Sequence, residues 1–498
     1  MNENILKKVI KSLIVFFILI IISYNPLFSQ INRIESMGNL FLVIEDEDNN
    51  LNLYNKGGNS AFLLIDEPKD WLKINLLSNS GNGTLHKTYE PAGKNNYSIH
   101  FEALKNIDEN QTFKGIIDYY DYKRKDVYRA IQTNIYGSGP FFIADSTTGT
   151  IDFYGPKIAF EYNISFIKDL YLGLNFSYGG EKGIKKIYSK PEITNRYISG
   201  QISMVYQLNN NIFIGAKLDP FYNYEKIELV KDPDSGTDPI TFKYRGFKIF
   251  RKSSDDYTRH NRNKGFDVEA QSSYKSQDQS LQIYISGSYF RQGIEYQDGT
   301  RDIDKEGYWQ EEGYKGTLET RYRLDFLDKN LLFGLGLYYR NFESWSKHPQ
   351  LPIIFSENKY NSLEIGTGFS YNFNDIGLLL GIEYHKTISD SSLNDYLGNY
   401  SFDGSHPKDE IRIGTEYKVN NNIWLRLGYI RFSNNPDNQL NEFKFNHSIY
   451  SFGASYLIEN YVKIDLLLNY GKKESKYLTP DLTYKETSAL LFAKFFVF

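Results

Sequence analysis

The sequence contains no cysteine, so disulfides, thiolate metal ligands and thiol nucleophiles are excluded together. Its mean hydropathy of −0.50 excludes a bundle of membrane-spanning helices, each of which needs about 20 predominantly apolar residues. Charge of one sign is also lacking: 57 Lys and Arg against 61 Asp and Glu leave a formal net charge of −4. Nothing therefore points to nucleic acid, which calls for a strongly basic face. What the chain has in quantity is aromatic residues, with 42 Tyr, 35 Phe and 4 Trp. Tyrosine joins an apolar ring to a hydrated hydroxyl, which suits strands and a membrane–water boundary alike.

The amino terminus carries a basic stretch (Lys7, Lys8, Lys11), an unbroken apolar run from Leu13 to Ile22, and then Phe28-Ser29-Gln30. This is the secretory signal pattern, and the run is too short to span a bilayer as a helix. We expect a signal peptide over residues 1–29, cleaved near Ser29–Gln30 on the general secretory route. No cysteine follows it, so a lipoprotein anchor is excluded. Residues 30–70, which include Glu45-Asp46-Glu47-Asp48 and Gly57-Gly58, read either as a periplasmic lead or as a plug. Residues 71–498 carry the repeating theme.

That theme is alternation. In Lys157 to Ser165 the even positions Ile158, Phe160, Tyr162 and Ile164 are apolar, while Ala159, Glu161, Asn163 and Ser165 are small or polar. Successive strand residues face opposite ways, so one face is oily and the other wet. A turn at Lys168-Asp169 leads into Leu170, Leu172, Leu174, Phe176 and Tyr178, with Gly173, Asn175 and Ser177 on the other face. Such hairpins recur at Asn209–Asn211, Ser276–Gln279, Asp328–Asn330, Asn374-Asp375, Asn420–Asn422 and Glu459-Asn460. Asn and Asp tolerate the left-handed backbone of tight turns. Longer polar connections separate the hairpins: 179–195, 225–264, 292–313 and 386–408. Short turns at one end and long loops at the other are the asymmetry of bacterial membrane barrels. The fold expected is all-β: a transmembrane antiparallel β-barrel of 18 strands, with 16 as the alternative, short periplasmic turns and long extracellular loops. Tyr178, Tyr289, Tyr339, Tyr384, Tyr429 and Tyr470 fall where an outer aromatic girdle belongs.

The polar faces should line the lumen. They offer Lys157 and Glu161; Lys315, Glu319, Arg321 and Arg323; Arg412 and Glu416; and Lys463 and Asp465. Signs are interleaved, as in a salt-bridged, hydrated lining. Neither a cofactor nor a metal is expected. The seven histidines show no metal-ligand spacing. His385 beside Glu383, with Ser389 and Ser391 beyond, is the nearest approach to a nucleophile–base pair, and packing is the plainer reading, so no enzyme is expected. Asp232 to Asp238 has the density of a calcium loop, but Lys243 stands where its closing carboxylate belongs. Gly137-Ser138-Gly139 precedes Pro140 and lacks the context of a phosphate loop.

The chain ends on Phe498, with Phe496, Phe492 and Leu490 on the same face and Lys494 interrupting it. This end is similar to the C-terminal signal of outer-membrane barrels. The resemblance implies that the barrel assembly machinery reads Phe496 and Phe498. Gly58 to Leu64, Thr147-Thr148-Gly149, Tyr154-Gly155-Pro156-Lys157 and Tyr244-Arg245-Gly246 resemble an uncharacterised outer-membrane β-barrel family of Bacteroidetes-type, Gram-negative bacteria. Asn59-Ser60-Ala61 is weakly similar to the Asn-Pro-Ala hatch of FadL-type hydrocarbon transporters, with Ser60 replacing Pro. These resemblances imply a fold and an outer-membrane location. The functional expectation is a porin-like channel or passive transporter for small solutes, in contact with outer-membrane lipid. The alternative is a non-transporting anchor or subunit that holds a surface or periplasmic protein of a secretion or surface-assembly complex.

Overall fold

The structure, a computed structural model, describes residues 31–44, 53–66, 70–133, 139–230, 239–245, 250–299, 303–324, 330–434, 444–459, 461–475 and 482–496. The chain begins its sheet with β1 (Trp71–Gly83), β2 (Gly93–Asp108), β3 (Gln111–Ala130), β4 (Ile143–Ile167), β5 (Leu170–Lys185), β6 (Glu192–Asn209) and β7 (Ile212–Leu229). Two short strands, β8 (Thr241–Tyr244) and β9 (Phe250–Ser253), form a hairpin in the next connection. It continues with β10 (Tyr257–Lys275), β11 (Leu281–Asp298), β12 (Asp304–Leu324), β13 (Leu331–Lys347), β14 (Ile354–Phe373) and β15 (Leu378–Asp395). A short β16 (Tyr400–Ser405) folds back on β15. The last strands are β17 (Lys408–Asn420), β18 (Ile423–Asn434), β19 (Phe445–Ile458), β20 (Val462–Ser475) and β21 (Leu482–Phe496).

Each long strand pairs antiparallel with its neighbour, and β1 pairs with β21 from Trp71↔Phe496 to Gly83↔Tyr484. The result is a closed antiparallel barrel of 18 strands; β8, β9 and β16 decorate the loop end. The turns form as their residues dictate. The Asn209 carboxamide oxygen accepts from the Asn211 and Ile212 amides at 2.8 and 3.0 Å. Asn420 does the same for Asn422 at 2.8 Å. Asp169 takes φ 65° at the β4–β5 turn, where an Asp strains the backbone least.

Alternation sorts the two surfaces. Ile158 and Phe160 are exposed on the outside of β4, whereas Glu161 and Asn163 are buried inside. The outward rows of β11, β13, β14 and β18 include Ile285, Phe333, Phe369 and Leu427, all exposed. They form an apolar belt, and exposed Tyr178, Tyr339, Tyr384 and Tyr470 stand at its loop-side rim.

Two expectations need correction. The polar stretches 179–195, 292–313 and 386–408 are largely strand: β5 runs to Lys185, β11 and β12 leave only the connection from Gly299 to Ile303, and β15 runs to Asp395. Ladder bonding continues where the outer face has no need of oily residues, so composition alone read these stretches as loops. The last strand also turns the other way. Phe492, Lys494 and Phe496 are buried on the inner face, where the Lys494 ammonium lies 5.0 Å from the Trp71 ring centroid, while Leu491 is exposed outside. Lys494 is thus an ordinary inward cation, and Phe498 lies outside the described residues.

Placing a cation at the centre of the belt tests its contact with lipid. Ile285→Arg is expected to cost roughly 2–4 kcal/mol in a bilayer, measured as a lower urea midpoint for protein refolded into vesicles. No change would mean that this row faces water.

Candidate functional site

Residues 33–44 and 53–66 lie inside the barrel against its inner wall, near the turn end. Both ends of this segment leave at that same end. The Arg33 guanidinium grips Glu416, close to the Asn420 turn, at 2.6 and 3.1 Å. Asp70 accepts from the Asn106 amide at 2.8 Å and pairs with Lys105 beside the β2–β3 turn.

An apolar run such as Met37 to Ile44 can cross a charged lumen only if the wall admits its backbone. Here the wall is glycine. A Cβ at Gly428 would overlap the backbone nitrogen of Gly38, one at Gly414 the carbonyl of Met37, and one at Gly173 the amide of Ala61. Gly381 and Gly414, and Gly414 and Gly428, are direct cross-strand partners, so a bare strip runs over β15, β17 and β18. Gly334 likewise meets the Leu42 carbonyl, while Gly453 makes room for the Ser36 side chain and Gly366 for the His385 ring and the Leu42 side chain. Over this floor Met37, Leu40, Leu42, Val43 and Ile44 form a wholly buried cluster. A second cluster joins Leu53, Ala61 and Phe62 to wall residues Val205 and Tyr284.

Polar groups fix the register. The buried Glu383 carboxylate accepts from the Leu42 and Val43 amides at 2.7 and 3.0 Å, and its other oxygen meets His385 Nε2 at 2.9 Å. Ser370 donates to the Val43 carbonyl at 2.6 Å, and Arg412 to the Asn39 carbonyl at 3.0 Å. Lys56 pairs with Glu319 at 2.6 Å. On the far wall, Ser60 and Ser203 hydroxyls meet at 2.9 Å, and the Gln201 amide bonds both the Ser60 nitrogen and the Gly58 carbonyl at 2.9 Å. Gly58 to Leu64, singled out from the sequence, is thus the stretch that binds β5, β6 and β7.

The expected lining divides into two layers. Glu161, Glu319, Arg321, Arg412, Glu416, Lys463 and Asp465 lie at the level of the inner segment. Arg321 donates to the Phe41 carbonyl, Glu416 is shared by Arg33 and Arg426, and Asp465 meets Arg426 at 3.7 Å. Arg323 is half-buried at the same end of β12. Lys157 and Lys315 lie farther up. Lys315 is 46% exposed while paired with Asp267 at 2.7 Å, and nearby Asp219, Glu364 and Lys408 retain 29–33%. A partly exposed layer lined by both signs of charge therefore sits above a buried layer occupied by the inner segment.

The loop end is partly closed by a strap of residues 139–145, a feature the sequence reading missed. Phe142, Ile143 and Ala144 pack with Val127, Ile151, Phe153, Ile227 and Tyr244 on one side. Phe141 packs with Tyr296, Trp309 and Phe355 on the other. Two buried ion pairs anchor this layer. The Lys185 ammonium meets Asp145 at 2.8 Å, and Arg259 meets Asp298 while donating to the Phe141 carbonyl at 3.1 Å. Burial opposes charge on Asp298, but Arg259 and Lys243 outweigh it and hold the carboxyl below the usual range. The apolar spacing of Phe141-Phe142-Ile143 is the signal that would have found the strap.

The suspected nucleophile–base arrangement does not form. His385 is held between Glu383 and Glu364 at 2.9 and 3.0 Å. Ser389 donates to the His406 carbonyl, and Ser391 meets His406 Nε2 at 3.1 Å. Among the described residues no group of three His, Asp or Glu is placed to hold a metal ion. The acidic stretches Glu45–Asp48 and Asp232–Asp238 lie outside the described residues, as do Gly137 and Ser138.

Residues 60–489 match a family described as a family of unknown function, DUF6850. No curated protein sequence matches the chain. Among solved structures, the toluene transporter TodX of Pseudomonas putida is 12% identical over 95% of this chain and 99% of its own, with a TM-score of 0.36. The siderophore receptor PiuA of Acinetobacter baumannii is 10% identical over 86% and 81%, with a TM-score of 0.45. The ferric-catecholate import receptor Fiu of E. coli K12 is 10% identical over the same shares, with a TM-score of 0.44.

The glycine floor yields a direct test. Gly428→Val should push the Met37 backbone off the wall at a cost of about 1–3 kcal/mol. In a Met37→Cys background, where the introduced thiol is unique, a charged maleimide should react roughly tenfold faster or more; an unchanged rate refutes the contact. The strap should loosen in acid. Because the Asp298 carboxyl is lower in the folded protein, its contribution is full above the ordinary value near ~4 and disappears as pH falls through the folded value. Asp298→Asn should mimic this at neutral pH by stranding buried Arg259, at about 3–5 kcal/mol. Cleavage at Phe141-Phe142 reads both, by pepsin in acid and by chymotrypsin at neutral pH.

Proposed function

We propose that this chain, which belongs to the DUF6850 family, is an outer-membrane channel or passive transporter for small solutes, held shut by its own residues 33–44 and 53–66. The observation that carries the reading is the contrast between the two layers of the lumen. The upper layer is exposed and charged on both signs, as a path for polar solutes requires, and the lower layer is occupied by a segment continuous with β1 at one end and held to the wall by non-covalent contacts. A barrel of 16–18 strands otherwise leaves an aqueous channel. The interleaved charges favour neither anions nor cations. Export belongs to the same reading: residues 1–29 act as a removed signal peptide, and the strand ending in Phe496 and Phe498 is offered to the barrel assembly machinery.

A second reading has its own observation. The strands continue well past the apolar belt into a collar, topped by the β8–β9 hairpin and the strap. A built surface of this kind suits a barrel that anchors a surface or periplasmic protein without passing solutes.

Single-channel recording in planar bilayers separates the two. The intact protein should be mostly closed. A variant lacking residues 33–66, or one carrying Glu383→Ala with Gly428→Val, should show long, stable openings. If both variants fold as heat-modifiable barrels yet stay silent, the transport reading fails and the anchor reading stands.

A further inference from the structure

A cavity of about 1190 Å³ lies against the outside of the barrel, not within it. Its floor is the outward face of β7 and β10 to β13, immediately beyond the aromatic rim. Arg291 follows half-buried Tyr289 by one outward step on β11, and Lys264 lies beside Tyr222 and Gly293 in the register of β7, β10 and β11. Arg262 and Lys347 stand one row higher, bracketing Glu295 and Tyr308. The β13–β14 turn, His348 to Pro352, forms the remaining wall and keeps its shape because His348 Nδ1 accepts from the Gln350 and Leu351 amides at 3.2 and 3.1 Å.

Four cations line this groove against a single carboxylate, Glu295, in a chain whose net charge is −4. Glu295 is already paired with Lys305 at 3.5 Å, and Arg291 lies 3.6 Å from Glu312. Arg262, Lys264 and Lys347 have no carboxylate partner among the described residues. Three exposed cations therefore converge on one outward groove. Tyr222, Phe266, Tyr308 and Trp345 supply flat surfaces beside them. Leu351 and Ile353 add exposed apolar surface on the turn above.

From this placement we infer that the groove binds the phosphorylated headgroup of a glycolipid in the outer leaflet, with Arg262, Lys264 and Lys347 contacting its phosphates. The inference rests on the outer-membrane location proposed above. The height fits. Outward rows below carry the belt that meets acyl chains, the tyrosine rim marks the boundary, and the cations lie a few residues beyond it, about 3.3 Å per residue along each strand. Phosphates meet Arg and Lys through charge-assisted hydrogen bonds. A soluble anion would gain nothing from the aromatic and apolar rim, whereas a lipid uses both.

The test uses detergent-purified full-length protein and native mass spectrometry with bis-phosphorylated lipid A, its dephosphorylated form and inorganic phosphate as probes. A one-to-one adduct with the phosphorylated lipid is expected, persisting where free phosphate does not bind, and falling at least roughly tenfold in affinity, ~1.4 kcal/mol, in Arg262→Gln/Lys264→Gln/Lys347→Gln. Lys485→Gln, an exposed outward lysine on β21 across the barrel, should leave binding unchanged. Equal binding of the dephosphorylated lipid by the unaltered protein overturns the proposal without recourse to any variant. So does equal loss in Lys485→Gln. Conductance is not read, so failure here leaves the channel reading intact, and a silent channel leaves this one intact.

Discussion

Closure of the hydrogen-bond ladder between β1 and β21 is the constraint on which every other feature rests. A backbone group left unpaired in hydrocarbon costs several kcal/mol, so a sheet can face lipid only when it has no edge. Trp71 to Gly83 must therefore find Tyr484 to Phe496 across the whole length of the chain. Once that seam forms, side-chain alternation acquires a fixed meaning: one parity is outside and the other is inside. A one-residue slip would exchange the oily and charged faces of a strand. The seam thus determines which residues can ever meet a solute.

The inside is built on an unusual compromise. Charged walls favour water, yet the inner segment is apolar, and the two coexist because glycines bring backbone to backbone. Gly414 and Gly428 lie where any side chain would displace Met37 or Gly38. Around this strip, carboxylates and guanidinium groups bind main-chain atoms: Glu383 takes two amides, while Arg321 and Arg412 take carbonyls. The described part of the segment is a set of short helical turns, at Ile31–Ser36, Leu53–Gly57, Ser60–Phe62 and Leu63–Asp66, and wall side chains satisfy main-chain groups between and beside them.

Much of this architecture was legible in the residues. Two-residue periodicity, Asn- and Asp-rich turns and the Tyr rim carried the barrel and its strand number, because lipid and water impose opposite demands on successive positions. Glu161, Glu319 and Glu416 are buried beside the inner segment, where Tyr54, Lys56 and Arg33 meet them. What remained hidden was long-range. Residues 33–66 carry no period that declares an interior, and the sign of their fit sits elsewhere, in glycines at inward positions from β5 to β19. The strap was hidden for the same reason: Phe141 and Phe142 look like a loop's stray aromatics until Trp309 and Tyr244 are brought to them by distant strands. The last strand misled because Phe492 and Phe496 are oily yet inward, against Trp71 and the Lys494 ammonium.

Arg33 and Asp70 both sit at the turn end, and the second is joined directly to β1. On the channel reading, a segment that lets go of the wall stays tethered to the barrel through its link at Asp70 to β1. Its return is then an intramolecular event, driven by a local concentration in the millimolar range typical of short tethers. Release would be a matter of how fast a set of contacts unzips, and resealing would not depend on how much protein the membrane holds.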